Sequence, residues 1–285
     1  MATTTDLVIQ AEDIATPQVK ALHTISQAGD IRRIDHIGHQ AFRLSSANFA
    51  ARDEVAAYCE NAALDFAFVP AAQRLSDFGL LSMDMDSTLI TIECIDEIAD
   101  FAGCKADVAA ITASAMRGEI DWPESLRQRV RLLAGLDESV LQQVYETRLR
   151  LSAGADELLA ASRKAGLKTL LVSGGFTFFT ARLKSRLKLD FAYSNELAIE
   201  NGKLTGQVLG PLCDAEGKAR HLRETAAALG IPAERCLAIG DGANDLKMMA
   251  AAGMSIAYHA KPIVRAQATA AINHVGLDGV PALFN

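Results

Sequence analysis

Residues 84–89 read Asp-Met-Asp-Ser-Thr-Leu, and they directly follow a short apolar run, Gly79–Met83. The run has the length and composition of a buried strand, which places two carboxylates, Asp84 and Asp86, at its end. Carboxylates there are costly to bury unless a metal or a reactive ligand compensates their charge. One of them can attack as a nucleophile while the other moves a proton. The alternative for a lone Asp-x-Asp is a pair that only caps a turn.

Polar residues also follow two later apolar runs. Ser173-Gly174-Gly175 comes after the first of these, and its hydroxyl and backbone N–H groups can cradle a phosphate. Gly240–Asp245 follows the second, and its carboxylates Asp241 and Asp245 suit oxygen ligation of Mg²⁺. Taken alone, each motif has a simpler explanation, which is an ordinary turn or a helix cap at Asp245.

Lys218 adds a positive charge between these motifs. It opens a predicted helix, Lys218–Leu229, where it could neutralise a phosphate, although a lysine in such a place is usually solvated. All these features occur in order along the chain, at the ends of predicted strands or the start of a helix. Because ligands of open α/β sheets bind beyond the carboxyl ends of the strands, the combination predicts one anion- and metal-binding cleft.

The region from Phe78 onward alternates strands with helices. Helical patterns run through residues 92–165, and strands and helices then alternate up to Met254–Ala257. One strand is expected near Phe191–Ser194, and two more, Leu197–Ile199 and Leu204–Val208, flank the hairpin signal Asn201-Gly202. The order is typical of α/β proteins and predicts a doubly wound parallel sheet.

The first 77 residues have a different element order. Strand, helix, strand, strand, helix and strand follow one another between Asp6 and Val69, which is the order of a ferredoxin-like α+β domain. Residues 70–77 form the predicted connector. We therefore expect two domains, a small one at residues 1–77 and an α/β one at residues 78–285.

Composition excludes several classes of protein. Half of the 285 residues are apolar, which argues against a disordered or fibrous chain. The formal net charge of −7 argues against a nonspecific nucleic-acid binder. No apolar stretch approaches the roughly 18 residues of a membrane helix, and Met1–Asp13 lacks the features of a signal peptide. Five scattered cysteines indicate reduced thiols, so we expect a cytoplasmic protein with no membrane and no nucleic-acid partner.

In combination, these motifs resemble the conserved motifs of the haloacid dehalogenase-like phosphatases. Three further stretches closely resemble one family within that superfamily, the phosphoserine phosphatases: Glu93 with Ile95–Ala99, Ser125–Val130 and Val172–Phe176. The resemblance covers the chain from Phe78 to the C-terminus, and its motifs are highly specific together. It implies a haloacid dehalogenase-like sheet with a helical cap at about residues 94–150. By element order alone, the first segment resembles the small ACT-like regulatory modules.

The resemblance implies a role for each motif. Asp84 is expected to attack a phosphomonoester and form an aspartyl-phosphate, while Asp86 protonates the leaving oxygen and then deprotonates the attacking water. Mg²⁺ would offset the repulsion between a carboxylate and a phosphate dianion. The expected metal ligands are Asp84, Asp86 (through its backbone carbonyl), Asp241 and Asp245. The expected phosphate ligands are Ser173, the Gly174 amide, Lys218 and Asn244.

Glu93 and Arg129 are the expected substrate-selecting pair. O-phosphoserine carries one ammonium and one carboxylate, which a carboxylate side chain and a guanidinium complement. Taken by themselves, Glu93 would be an exposed acid at a helix N-terminus, and Arg129 would share a solvated face with Arg127 and Arg131. The resemblance favours the functional interpretation of both residues, and it favours Arg129 over Arg127.

Other functions stay open at this stage. A regulatory protein with an amino-acid-sensing small domain and a catalytically dead large domain is disfavoured by the intact set of acidic residues and Lys218. A phosphotransferase, or a phosphatase for another small phosphoester, would use the same residues. The expected function is Mg²⁺-dependent hydrolysis of O-phosphoserine, the last step of serine biosynthesis. The sequence leaves open a homodimer through the first domain.

Overall fold

The first segment folds with the predicted order of elements in the computed structural model, which describes residues 4–35 and 38–285. Its four strands form an antiparallel sheet in the order β2-β3-β1-β4, which is the ferredoxin-like arrangement. The elements are β1 (Thr5–Ala11), α1 (Thr16–Ile25), β2 (Ile31–Ile34), β3 (Gln40–Leu44), α2 (Arg52–Ala62) and β4 (Asp65–Pro70).

The next strand is followed by an insertion of four helices, after which the chain returns to the larger sheet. An antiparallel bridge between Ile90 and Leu151 closes the base of this insertion. It occupies the place that the sequence predicts for a cap, and its limits at about 94–150 stay a prediction. The strand is β5 (Leu80–Met83), and the helices are α3 (Cys94–Phe101), α4 (Lys105–Met116), α5 (Trp122–Arg131) and α6 (Ser139–Thr147).

The remaining elements complete a seven-stranded sheet with helices on both faces. Its order is β11-β10-β9-β5-β6-β7-β8, and only the β7–β8 pair is antiparallel. The doubly wound α/β fold is thus confirmed. The elements are α7 (Ala155–Ala165), β6 (Lys168–Phe176), α8 (Thr177–Leu187), β7 (Phe191–Glu200), β8 (Lys203–Leu209), α9 (Ala215–Ala228), β9 (Cys236–Gly240), α10 (Leu246–Ala250), β10 (Met254–Tyr258), α11 (Pro262–Arg265), β11 (Ala270–Ile272) and α12 (Gly279–Ala282).

Two predicted boundaries differ from the structure. The strands expected near Phe191–Ser194 and Leu197–Ile199 are the single strand β7, because the intervening Asn195 is buried and bonds to neighbouring loops instead of forming a turn. The turn expected at residues 173–175 belongs to β6. The pairing of β6 with β7 is irregular between Val172 and Phe176, so the two glycines bulge at the end of that strand.

Alternation along the strands distributes the core over both faces of the large sheet. On β5, Leu81 packs with α7 and α8, while its neighbour Leu80 packs with α9 and α10 on the other face. On β1, Leu7 packs with α1 and α2, whereas Val8 belongs to the same cluster as Leu81. The small sheet is therefore apolar on both faces, and one of its faces packs against the rest of the molecule.

The C-terminal residues form the contact between the two sheets. Asp65 at the start of β4 accepts hydrogen bonds from the backbone N–H groups of Asn273, His274 and Val275, at 2.7, 2.8 and 3.1 Å. Arg43 on β3 is buried, and it donates to the carbonyl oxygen of Leu283 at 3.0 Å. The assignment of residues 1–77 as a separate domain stays a prediction. Among the described residues, no helix combines the length and apolar character needed to cross a bilayer.

Candidate active site

The predicted motifs meet around one cavity of about 670 Å³ beyond the carboxyl ends of β5, β6 and β9, beneath α3, α4 and α5. Ser173 and Asp245 are fully buried immediately behind its wall. Every other predicted site residue lines the cavity, namely Asp84, Asp86, Glu93, Arg129, Gly174, Lys218, Asp241 and Asn244. The structure therefore brings together residues that are as far apart in sequence as Asp84 and Asp245.

Asp84 and Lys218 form a buried ion pair at the floor of the cavity. Asp84 directly follows β5, and its backbone N–H donates to the carbonyl oxygen of Ile239 on the adjacent β9. Its Oδ1 lies 2.7 Å from the Lys218 Nζ, and these side chains are 5% and 1% exposed. Lys218 projects from the first turn of α9, which Asp214 caps by accepting from the Gly217 N–H. A lysine this deeply buried needs its partners, and it has two.

Asp245 is the second partner of Lys218. The Lys218 Nζ donates to its Oδ1 at 2.6 Å, and its Oδ2 accepts from the N–H groups of Asp241 and Gly242. This last interaction folds the turn after β9 back on itself, and so places the Asp241 carboxylate at the cavity. Thr88 holds that carboxylate from the other side, by donating its hydroxyl to Oδ1 at 3.2 Å.

Three of these carboxylates could hold a cation. Asp84, Asp241 and Asp245 each offer an oxygen, and the three atoms lie within 4.8 Å of one another. An all-oxygen donor set of this kind suits Mg²⁺. The Asp86 carboxylate lies outside the cluster. Its expected ligand atom, the backbone carbonyl oxygen, stays a prediction.

The clustered carboxylates shift the pKa values of the groups around them. Burial and the neighbouring Asp245 raise the pKa of Asp84 well above its usual value, although Lys218 opposes the shift. Burial, Asp245 and Glu93 raise the pKa of Asp241 to about 6. Burial alone would lower the pKa of Lys218, but Asp245 and Asp84 outweigh it and keep the ammonium charged. The site is thus poised to attract positive charge.

Asp86 lies two residues beyond Asp84, in a turn that directs its side chain to other partners. Ser87 adopts φ of 54°, a left-handed conformation that bends the chain directly after Asp86. The Asp86 Oδ1 accepts from the Cys94 N–H at 3.0 Å, and its Oδ2 accepts from the Ser173 hydroxyl at 3.4 Å. Burial raises the pKa of Asp86, and the hydrogen bonds with Cys94 limit the shift. A carboxyl group with a raised pKa keeps its proton to higher pH than an ordinary aspartate, which suits proton transfer to and from a reacting group.

The glycines after Ser173 bring the backbone of β6 against the helical insertion. A Cβ on Gly174 would lie 2.8 Å from Cζ2 of Trp122 on α5, and one on Gly175 would lie 2.7 Å from the Asp86 Oδ2. Any side chain at either position would displace these groups. Gly174 is also fixed from behind, because the buried Asn195 donates from Nδ2 to its carbonyl oxygen at 2.7 Å.

Glu93 and Arg129 lie at the end of the cavity beneath the helices. Glu93 precedes α3, and its Oε1 accepts from the Ser87 hydroxyl at 2.7 Å. Burial and the nearby Asp86 raise the pKa of Glu93 to about 7. Arg129 is half-buried on α5, with Nε 3.4 Å from the Ser125 carbonyl oxygen, whereas Arg127 and Arg131 are exposed. The structure therefore distinguishes Arg129 from its two neighbours, as the resemblance does.

Sequence reasoning missed several residues of the site. Thr88 lies within the first motif, and its hydroxyl contact with Asp241 carries no separate sequence signal. Asn195 is a lone polar residue in an apolar strand, and only its burial reveals its contact with Gly174. Asp96 lines the cavity one turn beyond Glu93; it lies within the Ile95–Ala99 stretch that resembles the family, but the resemblance implied no role for it.

Comparison with known proteins defines the class of this fold and site. The model of the haloacid dehalogenase-like hydrolases matches residues 81–250, which is more than half of the chain. A domain of unknown function (DUF4072) matches residues 7–55. The chain thus has the fold, the motif order and the family match of a haloacid dehalogenase-like hydrolase.

Comparison with individual relatives identifies the family within this class of hydrolases. A phosphoserine phosphatase from Polaromonas sp. is 58% identical over 210 residues, which are 72% of this chain and 89% of the relative. The solved structure of a probable phosphoserine phosphatase from Vibrio cholerae covers 98% of this chain and 86% of its own, with 39% identity and a TM-score of 0.83. A solved phospho-aspartyl intermediate analogue of phosphoserine phosphatase covers 73% of this chain and 99% of its own, with 37% identity and a TM-score of 0.69. The chain belongs to the phosphoserine phosphatase family of enzymes, which confirms the resemblance noted in its sequence.

Proposed function

We propose that this enzyme hydrolyses O-phosphoserine to serine and phosphate through an aspartyl-phosphate on Asp84. The observation that carries the proposal is the position of the Asp84 carboxylate. It lies at the carboxyl end of the central strand, 2.7 Å from a buried ammonium and beside two further carboxylates. The names of the relatives support the substrate, and the similarity to a phospho-aspartyl analogue supports the intermediate.

We further propose that Mg²⁺ binds among Asp84, Asp241 and Asp245, together with the backbone carbonyl of Asp86. The fit rests on the donor set. Three carboxylate oxygens lie within 4.8 Å of one another, and a bound cation would offset the repulsion between their like charges. Bound there, Mg²⁺ would offset the repulsion between the nucleophile and the phosphate dianion.

In the proposed first step, a carboxylate oxygen of Asp84 attacks the phosphorus while the bond from phosphorus to the serine oxygen breaks. Asp86 gives its proton to the leaving oxygen, which departs as the serine hydroxyl. In the second step Asp86 takes a proton from water, whose oxygen attacks the phosphorus and regenerates the Asp84 carboxylate. The raised pKa of Asp86 supports its part, because the first step needs the protonated form.

The phosphoryl oxygens would be held by a ring of donors around Asp84. Lys218 would supply a fixed positive charge, Gly174 and Asn244 line the cavity and would donate from the backbone N–H and the side-chain amide, and Ser173 is buried directly behind. Such preorganised donors stabilise charge in the transition state without reorganising. At the other end of the cavity, Glu93 would bind the substrate ammonium and Arg129 its carboxylate.

We propose that the reaction is the last step of serine biosynthesis, which the release of free serine supports. The five cysteines are unpaired, which supports a reducing compartment, and we propose the cytoplasm. A homodimer through the first domain stays a prediction.

The test is phosphate release from O-phosphoserine by the full chain, with Mg²⁺ and after chelation, alongside Asp84→Asn. We expect turnover only with Mg²⁺, and a loss of at least about a thousandfold in kcat for Asp84→Asn, with circular dichroism unchanged. Equal activity of Asp84→Asn would overturn the assignment of the nucleophile.

A panel of phosphoesters, assayed with and without acceptor alcohols, separates the remaining functions. Hydrolysis predicts that phosphate release matches substrate loss in every mixture. Phosphorylated acceptor alcohol would identify a phosphotransferase. Absence of turnover on every phosphoester with Mg²⁺ present would identify a binding protein.

A further inference from the structure

Asp96 is a carboxylate at the substrate-selecting end of the cavity that the proposed mechanism does not use. It lies in the first turn of α3, where its backbone N–H donates to the Glu93 carbonyl oxygen at 3.1 Å, and its half-buried side chain lines the cavity. Among the described residues it has no ion pair within 4.0 Å and no side-chain hydrogen bond. Its charge is therefore uncompensated by any direct contact.

Asp96 and Arg129 line the same cavity, and each affects the pKa of the other. Burial lowers the pKa of Arg129, and three carboxylates oppose that shift, in the order Asp96, Glu93 and Asp86. Asp96 on α3 and Arg129 on α5 line the same cavity, so their side chains border the same space. Burial raises the pKa of Asp96. The charges of Arg129 and Lys105 lower it and that of Glu97 raises it, and Lys105 and Glu97 pair with each other at 3.6 Å.

The charge balance of this end of the cavity differs from that of the amino-acid head group. Glu93 and Arg129 alone would match one ammonium and one carboxylate, with no net charge. Asp96 adds a second carboxylate, so Glu93, α3 and α5 together present two carboxylates and one guanidinium to this end of the cavity, while Lys261 lines the cavity from the loop after β10. A head group that brings a carboxylate without an ammonium meets net repulsion here, and one that brings only an ammonium meets net attraction.

We propose that Asp96 is a specificity-determining residue, whose charge makes the enzyme reject phosphoesters that carry a carboxylate but no ammonium. The proposal rests on the proposed function, because it needs the head group to lie between Glu93 and Arg129.

Three substrates that differ in head-group charge test the proposal. O-phosphoethanolamine carries only an ammonium, O-phosphoserine carries both groups, and 3-phosphoglycerate has a hydroxyl where phosphoserine has its ammonium. In Asp96→Asn, which keeps the shape and removes the charge, we expect kcat/KM to fall about three- to tenfold for phosphoethanolamine and to rise by a similar factor for 3-phosphoglycerate. We expect less than about a threefold change for phosphoserine. Where turnover is too slow to measure, inhibition constants against an aryl phosphate give the same ranking.

The control is Asp100→Asn, which removes a charge from an exposed position on the same helix and should leave all three values unchanged. A uniform loss in Asp96→Asn would indicate a structural role and overturn the proposal. A lower kcat/KM for both carboxylate-bearing substrates, with that for phosphoethanolamine unchanged, would make Asp96 only a positioning residue for Arg129 and would overturn the proposal. Unchanged values for all three substrates would overturn it as well. Failure of the proposed function is distinguishable, since the unsubstituted enzyme would then not hydrolyse phosphoserine at all.

Discussion

Lys218 determines the electrostatics of the site at the scale of single residues. Its ammonium, 2.7 Å from Asp84 and 2.6 Å from Asp245, compensates both carboxylates where water cannot. Removing one partner of a buried pair is far costlier than replacing the pair, because the remaining charge stays buried. Lys218 therefore contributes both to the fold of the site and to the charge that a phosphate would meet there.

Glu93 should give substrate binding a pH dependence. Its pKa of about 7 means that it is neutral below that pH and ionised above it. Attraction for the substrate ammonium is thus absent at low pH and gained as pH rises. We expect the KM for phosphoserine, divided by that for an aryl phosphate, to fall about tenfold between about pH 6 and 8. The aryl phosphate cancels the titration of the phosphate group.

The matched variant for this pH dependence is Glu93→Gln, in which the ratio of the two KM values should be flat over the same range. A ratio that falls equally in Glu93→Gln would show that another group is responsible for the pH dependence.

Arg129→Ala should raise the KM for phosphoserine about a hundredfold, because a charge-assisted, two-pronged contact with the substrate carboxylate is lost. The KM for an aryl phosphate, which has no such carboxylate, should change less than about threefold. Arg127→Ala is the control, because this exposed arginine lies on the same helix. Equal effects of Arg129→Ala on both substrates would remove Arg129 from substrate recognition.

Most of the site could be predicted from sequence, because its residues lie in contiguous motifs at strand ends. Asp84, Ser173 and Asp241 needed only the strand boundaries and the rule that ligands bind there. Asn195 and Asp96 could not be predicted in the same way. Their contacts depend on where β7 and α3 pack in space, and a lone polar residue in a strand or a helix gives no sign of what faces it.

At the scale of elements, β7 connects the sheet to the site. Its first half pairs with β6 and its second half with β8, and Asn195 lies where one pairing gives way to the other. There its side chain donates to the Gly174 carbonyl oxygen and accepts from the Cys213 N–H at 2.8 Å. The strand thereby fixes both the glycine bulge of β6 and the loop before α9, which carries Lys218.

Asn195→Ala should reduce both stability and activity. Two buried hydrogen bonds are lost, which costs about 2–3 kcal/mol in the free energy of unfolding. Without the bond to the Gly174 carbonyl oxygen, the glycine bulge that carries the Gly174 N–H should loosen and kcat should fall about tenfold, since catalytic donors act only when held in place. Urea unfolding and steady-state kinetics measure the two effects. The control is Ser194→Ala, also in β7, which removes a hydroxyl that is hydrogen-bonded to Thr180 on α8 and should leave kcat unchanged.

A normal kcat in Asn195→Ala would contradict the role of β7 in fixing the bulge.

The continuity of this strand is also the point at which sequence reasoning about the fold was wrong. Asparagine is a common turn residue, and only its burial distinguishes this one from a turn. The element order elsewhere was predictable, because apolar periodicity persists through each longer strand and helix. The three residues of β11 are too few for such periodicity.

At the scale of the whole molecule, the two sheets share one interior. Val8 from the small sheet and Leu81 from the large one belong to the same apolar cluster, which also includes Leu283 and Phe284 at the C-terminus. The C-terminal residues thus lie between the sheets and contact both. Because the small sheet shares this cluster, we expect the molecule to unfold in a single cooperative transition.

Asp65 is the residue through which this expectation can be tested. Its two oxygens accept three backbone N–H groups from residues 273–275, and it is only 2% exposed. Because these donors have no second acceptor among residues 4–35 and 38–285, Asp65→Ala should cost about 3–5 kcal/mol and lower Tm by roughly 5–10 °C, still in one transition. Scanning calorimetry measures both, and Asp53→Ala on the exposed face of α2 should leave Tm unchanged. Two resolved transitions in the unsubstituted protein, or an unaltered Tm in Asp65→Ala, would contradict a shared interior, since the small sheet would then unfold independently of the catalytic region.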